Sequence, residues 1–316
     1  MFDIMGAIHE AICLILISIA SWFFNLYYFI IGHVASSDVV GGSFHNVFGN
    51  ETVWNIVSSV HQTVVIPIAE SILALFMLVQ LIKISQRIDA TATLPAVKDI
   101  VFLAVSYVLF HWLIVNSLGL LDAVYGVFNE ITNSDALTGA SIQLGNMTLE
   151  TSGLDLKKAS IGGCFILVIT AFFSAGTGLI AYIVSIAVAT ARAIQLYVMA
   201  AFSPIPLALL GFEETRQSGI SFLKNFCAAC LAGAIMMFLF AAYPLILTSM
   251  TASLGVGDLN QLVNADSSVN VTGIVDSTLE YAFAPLLGLL MFIGLSILLI
   301  VVLVKAGSWA KEILGS

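Results

Sequence analysis

Between residues 161 and 210 the chain carries one charge, Arg192, in fifty positions. A straight α-helix of that length would reach about 75 Å, against about 30 Å for the hydrocarbon core of a bilayer. So apolar a run cannot be hydrated, and backbone groups in lipid must bond to one another, as they do in a helix. The rest of the chain agrees. Of its 316 residues 60% are hydrophobic and 9% charged, where about 25% charged is usual for a soluble domain. Mean hydropathy is +1.07. The expected fold class is all-α, a polytopic integral membrane protein. A net charge of −9 argues against an electrostatic grip on nucleic acid. The N-terminal MFDIMGAIHE has no Lys or Arg and does not read as a signal peptide.

A spanning helix needs about 20 mostly apolar residues. Runs 11–31, 62–82, 100–120, 161–189, 226–250 and 281–304 qualify. The first also suits the interface, because it holds Asn25, Trp22 and Tyr27, so five or six crossings are expected. Segments 32–60, 122–160 and 251–280 hold eleven acidic and two basic residues, while 83–99, 192–224 and 305–316 hold eight basic and five acidic. The positive-inside rule puts the second set, and with it the C-terminus, in the cytoplasm. Five stretches follow. Residues 1–60 form a hydrophobic helix and outer loop, 61–121 a transmembrane hairpin, and 122–160 a long outer loop. Residues 161–250 form the core, and 251–316 a loop, a last crossing and a tail.

Two full crossings within 161–210 would reverse this charge balance. The expected alternative is one crossing at 161–189, then a half-inserted helix over 193–210 at the cytoplasmic face, broken at Pro204 and Pro206. Beyond it Glu213, Glu214, Arg216 and Lys224 form a charged elbow, with Arg192 just upstream. The elbow reads either as a docking site for a cytoplasmic partner or as a bent connector.

Three further patterns stand out. Glu70 and His111 lie equally far from the centre of the 61–121 hairpin and should meet at one depth, as a structural pair or a functional one. Thr177, Ala181, Ser185, Ala189 and Ala193 recur every fourth residue, a spacing that lets helix backbones approach, within the chain or between subunits. Cys227 and Cys230 have metal-like spacing but no companion ligands, and all four cysteines read as small packing residues. Asn50, Asn146 and Asn270 begin sequons in expected outer loops. No catalytic set, metal site or cofactor motif is present, so an enzyme is not expected.

Thr190 to Ile235 contains Arg192, then YVMAAFSPIPLALLG, a charged turn and SGISFLKNFCAACLAGAI. That succession resembles the TrbL-type membrane component of conjugative type IV secretion systems, nearest to the short forms of Gram-positive integrative elements. The resemblance implies a bacterial cytoplasmic-membrane protein at the base of a translocation channel, surrounded by lipid. It also implies assembly as a ring such as a pentamer, contact with secretion ATPases and other channel subunits, and passage of single-stranded DNA–protein cargo. No residue pattern speaks for direct nucleic-acid binding. The competing reading is a small-molecule transporter or permease subunit, which would show helices broken near the midplane with converging polar groups.

Overall fold

A computed structural model describes residues 2–35, 41–48, 51–91, 95–135, 137, 161–253 and 277–315. The asparagines of the three sequons, most of the expected loop 122–160 and residues 254–276 lie outside the described residues. Among those described there is no strand.

Helix α1 is Phe2–Ala35, followed by a short 3-10 turn, Phe44–Asn46. Helix α2, Glu51–Val60, runs through a π-turn at His61–Val65 into α3, Ile66–Thr91. Then come α4, Pro95–Val115; α5, Ser117–Thr132; α6, Ile161–Phe202; and α7, Pro204–Leu209. Helices α8, Arg216–Ser253, and α9, Ser277–Leu314, complete the order. Among the described residues six segments are long and apolar enough to cross a membrane: Ala7–Tyr27, Glu51–Gln86, Lys98–Val115, Leu167–Phe202, Arg216–Tyr243 and Ile293–Leu314. The protein is a multi-pass membrane protein.

One expectation changes here. Helix α6 is unbroken for 42 residues, so the half-helix does not begin at 193. The break falls at Ser203, and the prolines open the six-residue α7 rather than close a longer one. Proline at the first position of a helix forfeits no hydrogen bond, because the first N–H groups have no intrahelical partner. Upstream, no proline interrupts α6, so its ladder stays intact through Arg192.

The chain forms two compact units. The first comprises residues 1–37, 134–188 and 236–305. Here α1 buries Cys13, Ile17, Ala20, Phe24 and Tyr27, a stripe spaced three and four residues apart. The Tyr27 ring lies against Gly178, where an added Cβ would overlap it. Its hydroxyl meets those of Tyr243 and Ser296, the latter at 3.4 Å. Ser296 in turn donates to Thr177 Oγ1 at 3.4 Å. These hydroxyls satisfy one another where lipid could not.

The second unit comprises residues 38–133, 189–235 and 306–316. One of its apolar clusters joins Phe44, Val57, Leu121, Tyr125, Leu196, Tyr197 and Phe226. Another seats Ala208 and Phe212 against Ala69, Leu73, Met77 and Ile114 of the α3–α4 hairpin.

Candidate functional site

The break at Ser203 begins with chemistry. Pro204 has no N–H to give Ala200 O, its normal helical acceptor, and the ring would clash with that carbonyl in a continuing helix. The freed Ala200 O takes Ser203 Oγ at 2.9 Å and His61 Nδ1 at 3.2 Å. A carbonyl only accepts, so Nδ1 carries a proton and donates it. His61 Nε2 lies 3.1 Å from Ser117 Oγ, which is also 2.7 Å from Ile114 O. His61 is thus buried where three interruptions converge: its own π-turn, the Asn116 turn between α4 and α5, and the end of α6. The π-turn has a parallel cause, since Pro67 cannot donate to Thr63 O. The sequence placed one break, at the inner face. Among the described residues three interruptions instead meet at one histidine, whose two ring nitrogens are both engaged by protein. From His61 to Lys83 is 22 residues, about 33 Å of helix, so the Ser203 break does not lie at the Lys83 end where the elbow sits.

Downstream, α7 lies on the hairpin. Leu207 and Ala208 are fully buried, and Phe212 stacks on Phe76 with ring centroids 4.4 Å apart. Thr215 Oγ1 donates to Leu209 O at 2.9 Å, and Arg216 N to Phe212 O at 2.8 Å, so the elbow closes on its own backbone. Gly219 has no side chain to spare, because a Cβ there would stand 2.6 Å from Pro206 O. Its absence lets the first turn of α8 lie directly on α7.

The charged residues separate into three kinds. Glu214 pairs with Lys83 at 2.6 Å, and Lys224 donates to Gly315 O at 3.1 Å. The Lys83 hydrogen bond, with its charge, holds the Glu214 carboxyl below its ordinary pKa. Glu213 and Arg216 are exposed and make no ion pair among the described residues. Arg192, expected with the elbow, is only 6% exposed and therefore cannot present itself to a docking partner. Its Nε donates to Ala229 O at 2.7 Å and its Nη2 to Cys230 O at 3.2 Å, while Nη1 is buried without a hydrogen-bond partner. Gly233 makes the room, since a Cβ there would overlap the guanidinium. Tyr125 donates to Gly42 O at 2.8 Å; burial pushes its phenol up in pKa and the nearby Arg192 charge opposes this.

Glu70 Oε1 lies 3.4 Å from His111 Nδ1, and Tyr107 stacks beside the imidazole. Ala181, Ser185, Ala189 and Ala193 are buried and Thr177 partly so, the first two with Thr177 in the first unit and the last two in the second. Cys227 and Cys230 are free thiols, and no cluster of three metal-ligating side chains occurs among the described residues.

Sequence reasoning missed His61, Ser117, Lys83 and Gly233, and it met Gly219 only as part of the stretch that carries the family resemblance. Lys83 had a signal: it is the first basic residue after the apolar run 62–82, at the depth where the elbow's acids emerge. Ser117 had none, and His61 only its place six residues before Pro67.

No curated protein and no solved structure matches the chain. A family model does match over residues 37–204, more than half of the chain, and it describes TrbL/VirB6 plasmid conjugal transfer-like proteins. The matched span holds the hairpin, the His61 junction and the whole of α6, and ends at Pro204, just before the elbow. By that match, on an all-helical framework with six segments able to cross a membrane, the protein belongs to the TrbL/VirB6 conjugal transfer-like family and is a membrane component of conjugal transfer.

Proposed function

We propose that the protein is a ring-forming channel-base subunit in the bacterial cytoplasmic membrane, with its C-terminus in the cytoplasm. Its elbow docks a secretion ATPase. The observation that carries this reading is the contrast within 212–216. Phe212, Glu214 and Thr215 are spent on holding the turn against the hairpin and its own backbone. Glu213 and Arg216 are left exposed, three residues apart, on that supported turn. A turn so fixed offers a partner two opposite charges at little ordering cost. The charge asymmetry of the loops supports the cytoplasmic placement. The role is one of scaffolding and gating rather than catalysis.

Conjugative transfer from a strain lacking the native gene tests this reading. Glu213→Lys with Arg216→Glu is expected to remove complementation while membrane-fraction levels stay normal. Exposed charges contribute only about 0–1 kcal/mol to folding, so a large loss would come from recognition. Full transfer by that variant would reduce the elbow to a connector.

A further inference from the structure

We propose that the outward face of the α3–α4 hairpin is the seam at which a second copy of this chain packs, an inference that rests on the ring reading above. Of the residues of Lys98–Val115 6% are buried, against 67% in an 18-residue stretch of Arg216–Tyr243. Bare apolar surface suits lipid equally well and decides nothing alone. What distinguishes this face is Glu70 and His111, whose side chains are 40% and 47% exposed. Thirteen residues separate Glu70 from Lys83 and thirteen separate His111 from Lys98, about 20 Å of helix in each case. Glu70 thus lies well inside Glu51–Gln86 and His111 faces it four residues before the end of Lys98–Val115, where acyl chains offer no hydrogen bond and an ionisable group is costly.

Within one chain only Oε1 and Nδ1 face each other. Glu70 Oε2 and His111 Nε2 remain unmatched among the described residues. One acceptor and one donor side by side are complementary to the same pair on another copy, with Nε2–H of one meeting Oε2 of the next. A lipid tail offers neither group, and a partner of one sign would satisfy half. The relief of α4 fits self-association. Phe102, 74% exposed, stands one turn before Val105 on the same helix, and Ala104, Val105, Val108, Leu109 and Trp112 line a shallow apolar hollow.

The test uses the full chain in native membranes, with a photo-crosslinking amino acid at Val105 or Trp112, and at Phe165 or Ile183 as exposed positions of the other unit. Adducts of twice the chain mass are expected from Val105 and Trp112 only. Glu70→Ala or His111→Ala should lower their yield about threefold, the mean effect of an interhelical hydrogen bond, and at most about twentyfold. The exchange Glu70→His with His111→Glu should restore it, since the swapped pair is again self-complementary. Self-adducts from Phe165 or Ile183 alone would overturn the seam and leave the ring reading standing. A monomeric chain with no self-adduct anywhere would overturn both. Hairpin adducts to other proteins only would overturn the second copy as occupant. Failure of the exchange to restore a lost yield would overturn the pairing.

Discussion

Arg192 and Gly233 show how one missing methyl group makes room for a buried cation. In most helices Gly→Ala stabilises by about 1 kcal/mol through propensity. At 233 the new Cβ would overlap the guanidinium, and overpacking of this kind costs about 1–3 kcal/mol. Gly233→Ala is therefore expected to destabilise the protein, and Arg192→Ala in the same chain to abolish or invert the penalty. Unfolding in detergent across this double-mutant cycle measures the coupling. Additive effects would mean that the two residues do not meet. Glu214 gives a residue-scale prediction in pH. Its folded pKa lies below the unfolded one, so the Lys83 contact contributes fully above the ordinary carboxylate pKa and fades as pH falls through the folded value. Lys83→Met should return the Glu214 pKa toward the ordinary carboxylate range. Added salt should do part of the same, because both partners are exposed. A carbon-13 titration of the carboxyl in nanodiscs reads both effects.

At the scale of elements, two prolines and a histidine decide where helices stop. Pro204→Ala with Pro206→Ala removes the clash that ends α6 and supplies an N–H that competes with His61 for Ala200 O. The helix should then run on past 203, displace Phe212 from Phe76, and reduce transfer to the level of the charge-reversed elbow with normal membrane insertion. Spin-label distances between the hairpin and 213 would show the displacement, and an unchanged distance would refute it. The sequence led to the Pro204–Pro206 break and, through hairpin symmetry, to Glu70 and His111 at one depth. It did not lead to the unbroken α6. Charge balance disfavoured a second crossing, but the alternative invoked, an early half-helix, has no physical cause at 189–193. The His61 junction joins residues 56 and 139 positions apart, and no local pattern encodes that meeting.

At the scale of the whole molecule, apolar runs and small residues made the crossings legible, because lipid imposes one length and one kind of secondary structure. The four-residue ladder carried less information than it seemed to. Thr177, Ala181 and Ser185 belong to one unit and Ala189 and Ala193 to the other, a division that a regular repeat conceals. The elbow lies just outside the segment that identifies the family, so its role must be established on this protein itself. The direct measurement places a photo-crosslinking amino acid at position 213 in cells that are transferring DNA, and identifies by mass spectrometry what it captures. The account predicts a covalent adduct with a secretion ATPase, lost when Arg216 is reversed to Glu. An elbow that captures no ATPase during active transfer would contradict it.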